Sequence, residues 1–358
     1  MKKIVYVMNV DWNWIKQRPH FIAEELSKEY KVIVLYQYRY GRDKLQKRND
    51  KNVMLKPLYT IPKITGIENL RWINDNIIAF LAKKIIKKEN PDFIYLTYPT
   101  QVNIIPKKFN GKVIYDCMDN HIAFVQNKNA SDKLYRLENN MIQSVDVVLT
   151  SSAYLLKQIK NRYNDSITNQ RFSIVRNAYN GKIQSFSKGM YEIGKEINFA
   201  YVGTIDSWFD FDSILYALQN IENLRIHLYG PCNVEIPNHS RIEYHGILEH
   251  ETIYNTIKSM DGLLMPFIIN DIVEAVDPVK LYEYINFNKM IICSKYPEIK
   301  RFNDFVDFYS TKEELKNIIL NCTNESKPKY SLKNRVLFLE NNTWECRGKD
   351  IISILEKQ

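Results

Sequence analysis

The chain has 358 residues, 45% hydrophobic and 25% charged, which excludes a disordered protein and exceeds what one hydrophobic core ordinarily organises. Its net charge of +9 is uneven: residues 1–180 carry 30 Lys and Arg against 16 Asp and Glu, and the remainder carries 20 against 25. No apolar run reaches bilayer length, and the five cysteines (Cys117, Cys232, Cys293, Cys322, Cys346) are scattered without a CxxC, which argues against a membrane span, a disulfide framework and a cysteine zinc site.

From the start, "MKKIVYVMNV" reads as a first β-strand rather than a secretory leader, because the apolar run is short and no small-residue cleavage site follows. Strand-like runs recur at 31–38, 53–59, 92–99, 112–118, 147–151 and 172–175. Helical patterns lie between them, such as "RPHFIAEELSKEY" and "NLRWINDNIIAFLAKKIIKKE". Continuous β-branched runs alternating with amphipathic helices predict a parallel sheet covered on both faces. The stretch "YNGKIQSFSKGMYEIGKEI" (179–197) lacks periodicity, holds three of the eleven glycines, and is expected to connect two domains. The alternation then restarts with strands in "NFAYVGTI", "LRIHLYGP", "RIEYHGIL", "DGLLMPF", "MIICS" and "FVDFYS". Helices are predicted at 211–221, 250–260, 279–289 and 311–321, and the tail from 331 is expected to be helical throughout. Two doubly wound α/β domains follow, with ligands expected at the carboxyl ends of the strands and in a cleft between the domains.

Several classes are excluded by what is missing. The glycines never fall as GxG, which argues against a dinucleotide-binding Rossmann enzyme, and Walker A, HExxH and GxSxG motifs are absent. The six histidines do not pair at metal spacing along the chain, and no metal is expected. One DxD occurs, Asp210 and Asp212, placed to cap the following helix.

In the second half, Gly203, Gly230 and Gly246 each end a strand, where a backbone without Cβ allows close approach of a ligand. In "DPVKLYEYINFNK" (277–289), Asp277 is the expected N-cap and Pro278 suits the helix start. Lys280 then falls in a first turn that already favours anions, and Glu283 lies one turn on. A cation followed by a hydrogen-bond acceptor suits a diphosphate followed by a ribose diol; the plain alternative is a surface i,i+3 ion pair.

These residues carry a resemblance. "PFIIND…VDPVKLYEYINFNKMIICS" resembles the "N…PxKxxEYxAxGKPVV" segment of GT-B glycosyltransferases of the group-1 superfamily. "WNWIKQRPHFIAEEL", "VIYDCMDNHIAF", "YVGTIDSWFD" and "NNTWECR" are similar, in order, to segments of the teichuronic-acid biosynthesis glycosyltransferases. The chain departs at "NFNKM", which lacks the family's small residue and proline, and at the family's Glu-x7-Glu spacing, where Ala275 stands and Glu274 is one residue off. The family's Arg and Lys after the first strand of the second domain are also missing from "GTIDSWFD".

The resemblance implies a GT-B fold of two Rossmann-like domains facing a cleft. An acceptor-binding domain is expected at 1–180 and a nucleotide-sugar domain at 195–342, with a helix at 343–358 crossing back to the first. It implies sugar transfer from a nucleoside-diphosphate sugar to a cell-surface glycan or lipid-linked saccharide, with no metal or other cofactor. Lys280 is then the leaving-group stabiliser and a catalytic residue. Gly203, Thr204, Gly230, His245, Gly246, Ile247, Leu281 and Glu283 are expected to bind the donor nucleotide, and Glu274 and Asp277 the donor sugar. Asp119 is the candidate base, with His121 beside it, and Asp11, Trp12, Trp14 and Arg18 are candidates for the acceptor, with Trp12 and Trp14 alternatively packing against the returning helix. Lys83, Lys84, Lys87 and Lys88, with "YRYGRDKLQKRN", suit anionic headgroups and a cytoplasmic protein peripheral to the inner membrane face. The lysines equally suit a solvated helix face. The rival functions are a nucleotide-sugar 2-epimerase and a catalytically degenerate subunit partnering an active transferase. No nucleic-acid-binding module is visible.

Overall fold

The computed structural model describes residues 1–38, 52–61, 71–186, 196–248, 250–322 and 327–357. The chain divides into two units, Met1–Asn177 together with Trp344–Gln358, and Ala178–Thr343.

The first unit is built on seven strands: β1 (Lys3–Met8), β2 (Lys31–Gln37), β3 (Met54–Leu58), β4 (Phe93–Leu96), β5 (Lys112–Cys117), β6 (Val147–Thr150) and β7 (Arg171–Ile174). Their order is β3-β2-β1-β4-β5-β6-β7, and every pairing is parallel. Tyr6 of β1 lies opposite Val34 on one side and Tyr95 on the other. Burial of both faces explains why these strands are unbroken apolar runs rather than alternating ones. The order reverses between β1 and β4, so their carboxyl ends form the switch point where such sheets gather functional groups. Helices α1 (Arg18–Leu26), α2 (Arg71–Glu89), α3 (Lys128–Ser144) and α4 (Ala153–Arg162) supply the crossovers.

The second unit repeats this design with six strands: β8 (Ile197–Val202), β9 (Leu224–Tyr229), β10 (Ile242–Tyr244), β11 (Gly262–Met265), β12 (Met290–Ser294) and β13 (Asp307–Tyr309). The order β10-β9-β8-β11-β12-β13 is again fully parallel and reverses between β8 and β11. Helices α5 (Phe211–Asn220), α6 (His250–Lys258), α7 (Asp271–Ala275), α8 (Val279–Asn286), α9 (Lys312–Cys322) and α10 (Leu332–Glu340) accompany it. Asp210 caps α5, its Oδ1 accepting from Ser213 N at 3.0 Å.

The C-terminal tail is not one helix, as its pattern predicts. It breaks at residues 341–343 between α10 and α11 (Trp344–Glu356). The Asn342 carboxamide donates to Phe338 O (2.8 Å), while Asn342 O accepts from Tyr179 N (2.7 Å), so local bonds replace the helical ladder there. Beyond the break, α11 belongs to the first unit. Trp344 stacks on Phe21 of α1 (ring centroids 4.9 Å, 10°), and Gly348 lets α1 approach so closely that a Cβ would stand 2.7 Å from that of Glu25. Helix α8 ends earlier than predicted because Asn288 adopts φ 54°. Asparagine tolerates this left-handed position, so Asn288 serves where a glycine would ordinarily end the helix.

Candidate active site

In the second unit, the three strand-end glycines form one row. Gly230 N donates to Gly246 O (2.7 Å), and Gly203 N donates to Tyr229 O (2.8 Å). Gly203, Gly230 and Gly246 have φ of 155°, 132° and 73°, in the region that disfavours side chains. A Cβ on Gly230 would lie 2.1 Å from Gly203 O. A Cβ on Gly203 would lie 1.8 Å from Cε of Lys280 and 2.6 Å from its Nζ. The absence of these side chains therefore lets the Lys280 stem lie directly across the end of β8.

Lys280 is half-buried, its ammonium 5.9 Å from the centre of the Tyr201 ring. No described residue offers it a hydrogen bond or an ion pair, so the i,i+3 pair with Glu283 does not form. Burial lowers its pKa below the ordinary lysine value, and the Glu283 carboxylate partly opposes that shift. The N–H groups of Val279 and Lys280 stand in the first turn of α8 without helical acceptors. Neither N nor Oγ1 of Thr204 is engaged by a described residue, whereas Thr204 O accepts from Tyr201 OH (2.8 Å). A cation, three N–H groups and a hydroxyl are thus gathered in a set suited to hold an anion. One turn further, Glu283 lines a cavity of about 230 Å³, together with Val202, Tyr179, Lys182, Ile253 and Tyr254. Lys280 does not line this cavity; Val202, the residue before Gly203, connects the two.

Other expected donor residues are placed differently. Leu281 is fully buried and its N–H donates to Pro278 O (3.1 Å), so neither its side chain nor its amide is available to a ligand. Asp277 does not cap α8; Pro278 takes that position without a side-chain cap bond. The Asp277 carboxylate is buried and held by Tyr282 OH (3.1 Å) and the Arg301 guanidinium, which removes it from a sugar. Glu274 is half-buried in α7, and Ala275 is buried in the core. His245 N donates to Leu228 O (2.9 Å) and Gly230 O accepts from Tyr244 OH (2.9 Å), so these backbone groups brace the sheet. Ile247 is 74% exposed, and a Cβ on Gly246 would meet nothing within 4 Å.

In the first unit, the acceptor candidates prove mostly structural. Arg18 and Asp116 form a buried two-point pair (Nη2–Oδ1 2.9 Å, Nε–Oδ2 3.1 Å) at the switch point. Tyr95 OH donates to Asp116 Oδ2 (3.0 Å), and Arg18 Nη1 donates to Asn177 Oδ1 (3.3 Å). Arg18 is held protonated by Asp116 and is not free for an acceptor. Trp12 is fully buried and packs on His20 (5.0 Å), whose Nε2 lies 3.1 Å from Trp12 O, so it stacks on no sugar; the indole that meets α1 from the returning helix is Trp344. Asp11 is buried, and its Oδ1 accepts from Asn13 N (2.9 Å), fixing the turn. Trp14 remains half-exposed.

Asp119 and His121 lie together just past β5, with His121 N donating to Asp119 O (2.9 Å). Burial raises the Asp119 pKa, partly offset by His121 and Arg18, and burial lowers that of His121. The His121 ring leans on Tyr98 (4.7 Å), and its Nε2 is buried without a hydrogen-bond partner among the described residues. Sequence reasoning missed what holds this loop. Glu138 of α3, buried, accepts from Tyr115 OH (2.8 Å), Tyr163 OH (2.7 Å) and Arg162 (3.3 Å), and Arg162 reaches Asn120 Oδ1 (3.2 Å). The available signal was a glutamate on the apolar stripe of an amphipathic helix.

The histidines also pair in space where their chain spacing does not show it. His227 Nδ1 and His245 Nε2 lie 3.1 Å apart, with Glu243 beside both. The basic helix α2 exposes Lys83, Lys84, Lys87 and Lys88. All of "YRYGRDKLQKRN" beyond Tyr38 lies outside the described residues, as do residues 187–195 of the connecting stretch. Among the described residues no helix is long and apolar enough to cross a membrane.

No family model and no curated relative matches the chain. Solved structures do. Sucrose-phosphate synthase from Thermosynechococcus elongatus superposes with a TM-score of 0.73 at 12% identity, over 99% of this chain and 98% of that one. HepE from Anabaena, in complex with UDP and glucose, gives 0.68 at 10% identity over 100% of both. The lipopolysaccharide outer core galactosyltransferase WaaB, in apo form, gives 0.68 at 15% over 98% and 99%. At these identities the likeness shows the fold, which is GT-B: two Rossmann-like units in one chain.

Proposed function

We propose that the chain is a glycosyltransferase that takes a sugar from a nucleoside-diphosphate sugar, with uridine the first nucleoside to try. The observation that carries this reading is Lys280, a cation paired with no described residue and laid across Gly203 at the switch point of the second unit. The fold is shared with structures that hold UDP and glucose, and with one named a galactosyltransferase. In the transfer, an acceptor oxygen bonds to the anomeric carbon while the bond from that carbon to the diphosphate breaks. The diphosphate leaves with the electron pair, and Lys280 with the α8 amides and Thr204 takes up its charge. Glu283, at the cavity, accepts from the ribose diol. Asp119, its pKa raised by burial, is the acceptor's base if configuration inverts, and otherwise positions the acceptor with His121.

A thermal-shift panel with UDP, GDP, ADP, TDP and CMP on wild type and Lys280→Ala tests the donor site. A ligand at a hundred times its Kd stabilises by about 2.7 kcal/mol. One diphosphate is expected to stabilise the wild type, and the variant to lose most of that gain. If none does, the chain is better read as a non-catalytic partner of an active transferase, a reading that the buried Ala275 in place of the family's acid also favours.

The acceptor is proposed to be a lipid-linked saccharide at the cytoplasmic membrane face, because α2 presents four exposed lysines beside the exposed Phe80. Reversing the four charges is expected to abolish sedimentation with phosphatidylglycerol vesicles; undiminished sedimentation sinks this part of the reading.

A further inference from the structure

Away from Lys280, one face of the β9–β10 edge gathers His227, Glu243 and His245. Parallel register sets His227 opposite Glu243, and the two-residue step from Glu243 to His245 returns the second imidazole to the same face. The three nearest ligand atoms form a triangle: His227 Nδ1 to His245 Nε2 3.1 Å, His227 Nδ1 to Glu243 Oε2 3.6 Å, and His245 Nε2 to Glu243 Oε2 3.7 Å. Ligands at about 2.0–2.2 Å from a tetrahedral ion stand about 3.3–3.6 Å from one another. The triangle therefore has the size of one face of such a tetrahedron before any ion enters.

Each ligand atom is also oriented by a neighbour. Asn198 Oδ1 lies 3.0 Å from His227 Nε2 and accepts a hydrogen bond from its N–H, which leaves the lone pair on Nδ1, aimed at the triangle. Arg225 Nη1 donates to Glu243 Oε1 (3.1 Å), which leaves Oε2 for the triangle. His245 stacks on Tyr229 (4.6 Å, 14°), which sets its ring plane. His227 is nearly buried, whereas the side chains of Glu243 and His245 are 40% and 35% exposed, so an ion has a path in and a fourth position open to water. Among the described residues no other three His, Cys, Asp or Glu side chains converge in this way.

We propose that His227, Glu243 and His245 bind one divalent transition-metal ion of the zinc type, which fastens the edge strand β10 to β9. Imidazole and carboxylate donors in a triangle of this size suit zinc or cobalt over magnesium or calcium, which take oxygen ligands in larger shells. By holding β10, the ion also steadies Gly246, whose carbonyl accepts from Gly230. The proposal stands on this triangle alone and does not require the donor-site reading.

The test uses full-length, tag-free protein stripped with EDTA. Titration with Co2+ is followed by visible absorption, and with Zn2+ by calorimetry. One equivalent is expected, with the intense ligand-field bands of a tetrahedral site and a rise in melting temperature. His245→Ala and His227→Ala are expected to abolish the bands, and Asn198→Ala to weaken Zn2+ binding about 10–100-fold. His239→Ala, which lies outside the triangle, is expected to retain them. His245 is partly exposed, so its variant folds, which a circular-dichroism melt confirms; should His227→Ala unfold, His245→Ala decides alone. Absence of one-equivalent binding, or binding unchanged in His245→Ala, overturns the proposal and leaves a plain His227–His245 hydrogen bond. Metal binding is read without nucleotide, so its failure and that of the donor site are separately visible.

Discussion

The two units share a strand order, yet the carboxyl ends of their sheets are furnished in opposite ways. In the first, the buried charges are spent within the protein: Arg18 on Asp116, Asp116 on Tyr95 as well, and Glu138 on two tyrosines and Arg162, which leaves Asp119 as the candidate for chemistry. In the second, the switch point is lined by glycine backbone and crossed by Lys280, which is paired with no described residue. A buried charge that has found its partners rigidifies a fold. A half-buried cation without a partner carries a desolvation cost that a bound anion would offset.

The comparison makes its largest demand at Asp116. Asp116→Ala leaves Arg18 buried and uncompensated, and is expected to cost about 3–5 kcal/mol in urea unfolding. Nucleotide binding by whatever protein remains folded should be unchanged. A variant that loses nucleotide stabilisation as fully as Lys280→Ala would erase the distinction between the two units.

Gly203→Ala probes the other side. The new methyl would stand 1.8 Å from Lys280 Cε at a φ of 155°, so the lysine must move. A fall of about 10²-fold in donor turnover is expected, with the ion still present but misplaced. Wild-type turnover in this variant would mean that the glycine row does not position the lysine.

The smallest effect is with pH. Free Lys280 has a lowered pKa and a bound diphosphate raises it, so affinity is full at low pH and declines as pH rises through the free value. The decline, at most about tenfold per pH unit, should begin below the ordinary lysine range. It should vanish in Lys280→Arg, whose guanidinium stays charged. An unchanged alkaline limb in that variant would place the titrating group elsewhere.

Much of this was legible in the chain itself. Apolar runs separated by amphipathic segments predict both parallel sheets, because burial on two faces leaves the strands no polar alternation. The placing of Lys280 and Glu283 one turn apart on α8 was legible because spacing along one short helix is local. Trp12, Arg18 and Asp277 mislead for the opposite reason. Their residue types suit a ligand, but Arg18 meets Asp116 across 98 positions and Asp277 meets Arg301 across 24, distances at which one sequence offers no pairing rule. The His227–His245 pair is hidden likewise, since parallel strands bring together residues 18 apart only once register is set. The break at residues 341–343 escaped because Asn341 and Asn342 sit in an otherwise continuous helical pattern, and the bond that ends it comes from Tyr179.

The return of α11 to the first unit bears on how the protein is made. A ribosome releases residues 1–177 first, but Trp344, which covers Phe21, emerges only after the whole of 178–343. The second unit, 178–343, is complete before the first has its final helix. Throughout that interval the α1 surface around Phe21 and Tyr30 is uncovered, a waiting apolar face of the sort that attracts chaperones. A premature stop after Thr343 would thus spare the later-synthesised unit and damage the earlier one.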